Sequence, residues 1–248
     1  MWENGKVNYI PYFFVLPVQL TRFSSGKSST ILLLLRLLDP LPSSAENITI
    51  ASLPLHRIHR TALRERIIAI PQDAVFLPDG TSIMSNLDPF DISTEAECSS
   101  VLEAVGLSAL IEQRGGLKQG LSPDTLSQGQ RQLFSLARAI LRRRIRTREY
   151  EAEVGEKGKG RGQGGILLLD EVTSGVDHET EQMMMRVIES EFEGYTVVMV
   201  SHRLEMVMGF DRVLVMDRGS IVEDGPPKEL AAKGEGRFRD LWVIGNRN

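Results

Sequence analysis

The chain has 248 residues, a formal net charge of −4 and 42% hydrophobic residues, as an ordinary globular domain does. A chain of this length buries enough apolar surface to fold without disulfide bonds or a structural metal ion. Its single cysteine, Cys98, excludes an internal disulfide framework. The negative net charge argues against polyanion binding by the whole chain, and no stretch reaches the ~20 apolar residues that a membrane-spanning helix needs.

The first half of the chain predicts short strands mixed with helices. In chain order these are a poor strand at 12–20, a polar turn at 21–28, a helix at 29–38, short strands at 47–50 and 67–70, and a helix at 94–111. The helix at 29–38 is apolar on nearly all faces, which predicts that it is buried against a sheet.

The second half alternates strands and helices more regularly. It predicts a helix at 127–144, a strand at 166–170, a helix at 180–191, a strand at 196–200 and a hairpin of strands at 212–216 and 220–223. This alternation predicts an α/β fold with a mostly parallel sheet and a site at the carboxyl ends of its strands. Residues 142–165 are rich in charge and glycine and predict a solvated insertion. Few aromatic residues accompany the basic ones, so nucleic acid is not expected as a partner.

A partial phosphate-binding motif lies in the turn at 21–28. The pattern G-x-x-x-x-G-K-[ST] wraps phosphates with backbone N–H groups at the start of a helix. Gly26, Lys27 and Ser28 match its end, whereas Thr21 and Ser24 replace glycines. A non-glycine residue forced into a glycine conformation costs about 1–3 kcal/mol, which predicts weakened nucleotide binding at this loop.

Further motifs follow this loop in a fixed order. They are Gln72 directly after a strand, LSQGQ at Leu126–Gln130, Asp170-Glu171 at a strand end, Asp177 shortly after it, and His202 at the end of the next strand. Taken singly, these fragments are more typical of ordinary features: Gln72 of a polar loop residue, LSQGQ of a helix cap, Asp170-Glu171 of a solvated strand end and His202 of a surface histidine. Together they resemble the ATP-binding cassette family over about residues 21–241. The strings at 86–90 (NLDPF) and 129–139 make the chain most similar to the second nucleotide-binding domain of the C subfamily, the multidrug-resistance-associated transporters.

The resemblance implies that ATP and Mg²⁺ are the ligands and assigns a role to each matching residue. The residues implied to bind the nucleotide are Ser24, Ser25, Gly26, Lys27, Ser28 and Ser29, and those implied to hold Mg²⁺ are Ser28, Gln72 and Asp170. The catalytic residues would be Glu171, which polarises the attacking water, His202, which contacts the γ-phosphate, and Gln72, which reaches the water.

A second group of residues is implied to face ATP held by another domain. These residues are Ser127, Gly129, Gln130 and Asp177. The implied partners are therefore a second ABC nucleotide-binding domain, in another chain or in the same full-length protein, and the transmembrane domains of a transporter. An isolated copy is expected to hydrolyse ATP poorly.

Some expected parts of this family are missing near the start of the chain. Only twenty residues precede Thr21, the early antiparallel strands are incomplete, and no aromatic residue can be assigned to adenine stacking. We therefore expect this chain to be a piece of a larger transporter, either because the gene product is truncated or because its first residues are wrongly joined sequence. We expect it to associate with the cytoplasmic side of a membrane through transmembrane domains outside this chain.

The expected architecture is a single domain with a P-loop NTPase, RecA-like core and an α-helical subdomain. The core would cover about 1–70 and 165–248, the subdomain about 71–146, and a flexible insertion 142–165. Three functions remain open: an ATPase domain that powers an exporter, a soluble cassette ATPase, and a nucleotide-binding or regulatory module without catalysis. The sequence does not name a cargo.

Overall fold

The computed structural model describes residues 14–17, 27–155, 164–201, 204–217 and 219–245. The chain divides into two compact units. The first, here called the sheet unit, comprises Met1–Ile68, Gly164–Glu171 and Gly194–Asn248. The second, here called the helical unit, comprises Ala69–Gln163 and Val172–Glu193. The sequence predicts that residues 172–193 belong to the core, whereas in the structure they group with the helical unit.

The strands form one large and one small sheet. They are β1 (Phe14–Pro17), β2 (Thr49–Ile50), β3 (Leu53–Pro54), β4 (Ile67–Ile70), β5 (Ile166–Asp170), β6 (Thr196–Ser201), β7 (Arg212–Asp217) and β8 (Ser220–Gly225). The large sheet has the order β4-β5-β6-β1-β7-β8, and β2 pairs with β3. β5, β6, β1 and β7 run parallel, and β8 runs antiparallel to β7. The prediction of a mostly parallel α/β sheet is confirmed.

Ten α-helices accompany the strands in the described part of the chain. They are α1 (Lys27–Leu34), α2 (Arg60–Arg66), α3 (Ile83–Leu87), α4 (Glu95–Ala104), α5 (Ser108–Gln113), α6 (Gln128–Val154), α7 (His178–Glu191), α8 (Leu204–Val207), α9 (Pro227–Ala232) and α10 (Arg237–Gly245). None of these helices has the length and apolar character needed to cross a membrane.

The core of the sheet unit is built from aliphatic residues of strands and helices. Ile31 of α1, Leu63 of α2, Leu168 of β5 and Val200 of β6 belong to one buried cluster. Full burial of such a side chain stabilises the fold by about 1.5–3 kcal/mol. The apolar run after the phosphate loop is therefore helical because it packs on the sheet.

Helix α1 ends four residues earlier than the sequence predicts. Arg36 adopts a left-handed conformation (φ 52°), which an α-helix cannot continue. Its guanidinium donates hydrogen bonds to the carbonyl oxygens of His56 (3.1 Å) and Ile58 (2.7 Å). These long-range contacts fix the turn that ends the helix.

Helix α6 is the longest element of the helical unit. Ser127 caps its first turn, as predicted, and the buried stripe includes Leu136, Ala137, Ile140 and Leu141. The prediction that a solvated insertion begins at Arg142 is wrong for 142–154, because α6 continues to Val154. Residues 156–163, the rest of the predicted insertion, lie outside the described part of the chain.

Charge pairing explains this extension of α6. Arg143 and Arg144 both pair with Glu191 at the end of α7, at 3.3 and 2.6 Å, and Arg148 pairs with Glu97 of α4 at 2.6 Å. Basic residues that looked solvated in the sequence therefore have acidic partners on neighbouring helices.

Candidate functional site

Three adjacent strands of the sheet unit end at the same edge. Asp170, the last residue of β5, lies opposite Val200 of β6, and Pro17, the last residue of β1, lies opposite Ser201. Because these strands are parallel, the chain leaves all three at one side, where ligands bind in open α/β sheets. The chain segments that carry the predicted motifs therefore start from one edge.

Glu171 occupies a strained turn at this edge. It is half-buried, its φ is 48°, and its N–H donates to the carbonyl oxygen of Val200 at 3.0 Å. A non-glycine residue held in the left-handed region costs about 1–3 kcal/mol and is found most often at functional sites. The backbone thus turns sharply immediately after Asp170, which is also half-buried.

The phosphate loop is flanked as a P-loop requires, by a strand before it and a helix after it. β1 ends at Pro17, and α1 begins at Lys27, so that Lys27 and Ser28 form the first turn of the helix. Ser29 follows on α1 and is exposed. The predicted residues Ser24, Ser25 and Gly26, and His202, which follows Ser201 of β6, lie outside the described residues.

The LSQGQ motif forms the N-terminus of α6 in the helical unit. The Ser127 hydroxyl accepts a hydrogen bond from the backbone N–H of Gln130 (3.2 Å), and the Gln130 side chain accepts one from the N–H of Ser127 (3.0 Å). This capping box satisfies two of the free amide groups of the helix. Gln130, predicted as a nucleotide contact, thus has a capping role in this structure.

Among the described residues, none gives Gly129 a steric reason to be glycine. Its φ lies outside the left-handed region, and an added Cβ would meet only Thr180 at 3.6 Å, Val176 at 3.8 Å and the Ser127 hydroxyl at 4.0 Å. These are ordinary van der Waals distances. Glycine lowers helix stability by up to about 1 kcal/mol relative to alanine, so the fold does not account for it.

The loop before α7 lies beside this motif. The Gln128 amide donates to the carbonyl oxygen of Ser174 at 2.8 Å, and Asp177 caps α7 by accepting the Thr180 N–H at 2.9 Å. That backbone hydrogen bond, with the one from the Thr180 hydroxyl, lowers the pKa of Asp177. We call Ser127, Gln128, Gly129, Ser174 and Asp177 the signature surface. Most of its members are exposed.

Gln72 is exposed in the helical unit, two residues after β4. Its carbonyl oxygen accepts a hydrogen bond from the side chain of Gln132, a buried residue that the sequence did not identify. The sequence did contain a signal for Gln132, because it is a polar residue at a position of α6 where the apolar stripe continues.

The residues predicted to hold Mg²⁺ are of types whose side chains carry oxygen atoms. Mg²⁺ prefers oxygen ligands and usually takes one or two carboxylates together with phosphates and water. Asp170 supplies a carboxylate at the sheet edge, and Ser28 lies in the first turn of α1. No cluster of three His, Cys, Asp or Glu residues is found among the described residues, and Mg²⁺ with a nucleotide does not need one.

Comparisons with known proteins agree with these motifs. Residues 24–145 match the family model described as ABC transporter. The chain is 54% identical over 224 residues to the ABC-type transporter braE of Annulohypoxylon truncatum, covering 90% of this chain and 15% of that protein. It is 50% identical to the ABC transporter FGM5 of Gibberella zeae, covering 90% of this chain and 14% of that protein.

The fold is also found in a solved transporter structure. A bacterial Atm1-family ABC exporter with ATP bound superposes with a TM-score of 0.74 at 22% identity, covering 94% of this chain and 36% of that one. The chain spans about 15% of the length of the fungal transporters that it matches. It is an ABC transporter nucleotide-binding domain, homologous to fungal ABC transporters over about 90% of its length.

Proposed function

We propose that this chain binds and hydrolyses ATP and so powers an ABC-type exporter. The observation that carries the proposal is the shared carboxyl edge of β1, β5 and β6. The phosphate loop begins four residues after the end of β1, Asp170 is the last residue of β5 with Glu171 directly after it, and His202 directly follows the last residue of β6. Hydrolysis of a phosphoanhydride requires phosphate binding, a water-polarising carboxylate and a charge-stabilising group, and these segments supply one each.

Each residue proposed for the site has a chemical task in the reaction. Lys27 neutralises charge on the β- and γ-phosphates, and Glu171 accepts a hydrogen bond from the water that attacks the γ-phosphate. His202 stabilises the charge that develops on the transferred phosphoryl oxygens. Bound Mg²⁺, held by Ser28, Asp170 and Gln72, would supply further neutralisation of the phosphates.

The signature surface is proposed to complete the ATP site of a second nucleotide-binding domain. The support is the exposed N-terminus of α6 and the absence of any steric need for Gly129 among the described residues. A helix N-terminus attracts anions, and a glycine there allows close backbone approach. One ATP would then lie between two domains, and transmembrane domains outside this chain would place the assembly at the cytoplasmic face of a membrane.

A second candidate is a nucleotide-binding or regulatory module with little turnover. Thr21 and Ser24 favour it, since both replace glycines of the phosphate loop. At about 1.4 kcal/mol per factor of ten, these changes would lower ATP affinity by about one to three orders of magnitude. Membership of the C subfamily is part of the proposal as well.

Glu171→Gln separates the two candidates. The exporter-ATPase proposal expects this variant to bind ATP, to lose turnover by at least about a hundredfold, and to accumulate as an ATP-bound dimer in light scattering. Glu189→Gln, which changes an exposed glutamate of α7, is the matched control and should behave as the wild type. Wild-type protein that binds no ATP at millimolar concentration would contradict both candidates. Binding without any turnover would favour the regulatory module.

A further inference from the structure

Gln132 is a buried polar residue that ties two functional segments together. It lies on α6, five residues after Ser127, and is 2% exposed. Its amide nitrogen donates to the backbone carbonyl oxygen of Gln72 at 2.5 Å. Gln132 therefore connects the exposed loop that carries Gln72 to the helix that carries the LSQGQ motif.

The other half of the Gln132 amide argues against a purely structural role. Its oxygen is buried and has no hydrogen-bond partner among the described residues. An unsatisfied buried acceptor costs stability, whereas a methionine of similar length would fill the same space without that cost. Stability alone would therefore favour an apolar residue at this position.

A second contact strengthens the connection between the loop and α6. Arg138, six residues further along the helix, donates to the backbone carbonyl oxygens of Val75 and Asn86. The segment from Gln72 to Asn86 is therefore fastened to α6 at two points. Gln132 holds Gln72, the residue of this segment with a proposed role in hydrolysis. Loss of the Gln132 amide would therefore free the position of Gln72, while Arg138 keeps the rest of the segment in place.

We propose that Gln132 is a positioning residue for ATP hydrolysis. By holding the Gln72 carbonyl, Gln132 fixes the direction of the Gln72 side chain and couples that side chain to α6. The inference rests on the proposed function and adds a residue to it. Gln132 acts through Gln72 and does not itself contact ATP, Mg²⁺ or water in this scheme.

A double-mutant cycle on the full 248-residue chain tests this role. Steady-state ATP turnover is measured for the wild type, Gln72→Ala, Gln132→Met and the double variant, at protein concentrations that allow dimers. Gln132→Met should lower kcat about tenfold, with the KM for ATP changed by no more than about twofold and the unfolding temperature not lowered. In the Gln72→Ala background, where there is no side chain to direct, the same change should have almost no further effect.

Matched controls and contrary outcomes make the test decisive. Gln182→Met changes an exposed glutamine of α7 and should leave turnover as in the wild type. Equal, additive losses from Gln132→Met in both backgrounds, unchanged turnover, or an unfolding temperature lowered by several degrees would each overturn the positioning role. If the wild type binds ATP but shows no turnover, both the proposed hydrolysis and the positioning role of Gln132 are contradicted. Turnover in the wild type with additive losses overturns the inference alone.

Discussion

At the scale of single residues, Gly129 is the position where the fold and the proposed function make opposite demands. The described residues around it leave room for a methyl group, yet the helix carries glycine. Gly129→Ala should leave the free energy of unfolding unchanged or raise it by up to about 1 kcal/mol. Turnover should fall about tenfold or more, because the methyl group enters the space proposed for the partner's ATP. Thermal unfolding and an ATPase assay on the same sample measure both effects. Full turnover in the alanine variant would refute the close approach.

Gly175 provides the contrasting control. Its φ is 73°, and an added Cβ would lie 2.5 Å from the side-chain oxygen of Gln128. Gly175→Ala should therefore lower the free energy of unfolding by about 1–2 kcal/mol, through backbone strain and displacement of Gln128. Gly129 belongs to the signature surface and Gly175 directly follows Ser174 of that surface, so opposite effects of the two changes on stability would separate a folding requirement from a binding requirement.

The sequence predicted the types of residue at the site better than their individual contacts. Glu171, Asp170 and Ser127 were found because they belong to motifs whose order along the chain is informative. Gln132 was missed because its importance depends on a hydrogen bond to Gln72, sixty positions away. A contact between residues so distant in sequence cannot be derived from a single chain.

At the scale of elements, Asp88 organises the loop between α3 and α4. Its carboxylate is buried and accepts hydrogen bonds from the N–H groups of Ile92 (2.7 Å) and Ser93 (2.6 Å) and from the Ser93 hydroxyl (2.6 Å). Burial alone would raise the pKa of Asp88, but the hydrogen bonds from Ser93 and its neighbours outweigh it and lower the pKa.

The lowered pKa determines the sign of a pH effect. A carboxyl group with a lower pKa in the folded state stabilises the protein above its unfolded value of about 4, and this contribution is lost as the pH falls through the folded value. Asp88→Asn should lower the free energy of unfolding by about 1–3 kcal/mol at pH 7 and by progressively less below about pH 4. Urea unfolding across this range is the measurement, with the exposed Asp91→Asn as control. A loss independent of pH would show that the charge is not involved.

The extension of α6 gives a second prediction at this scale. Glu191, 18% exposed, pairs with both Arg143 and Arg144. Glu191→Gln should lower the free energy of unfolding by about 1–2 kcal/mol, because both guanidinium groups lose a charged partner. The exposed Glu189→Gln, two positions earlier on α7, should change it little, so equal losses in the two variants would contradict a role for these pairs in holding α6.

Elements were predictable where their pattern is local. The strands β5 and β6 are continuous apolar runs, and α6 begins at a capping residue, so all three were located from the sequence. The end of α6 was not, because the charged residues beyond Arg142 become helical through partners on α4 and α7. Short helices such as α2 and α9 have too few turns to show a period, and tertiary packing decides them.

At the scale of the whole molecule, the site in the sheet unit and the signature surface in the helical unit have different proposed ligands. The first would bind the chain's own ATP, and the second would bind ATP of a partner domain. Mixing two inactive variants, Glu171→Gln and Ser127→Arg, should therefore restore turnover when the partner is a second copy, since one composite site in each mixed dimer is intact. The expected recovery is at most about a quarter of wild-type turnover, because half of the dimers are mixed and each has one good site of two. Mixtures that stay inactive would contradict pairing between copies of this chain.

The dependence of ATP turnover on protein concentration tests the central claim most directly. Turnover per chain is measured from nanomolar to high micromolar concentrations, with the oligomeric state determined by analytical ultracentrifugation under the same conditions. Completion of the site by a second domain predicts very low turnover where the chain is monomeric and an increase that follows the dimer fraction. Vigorous turnover that is independent of concentration in a strictly monomeric sample would contradict the account.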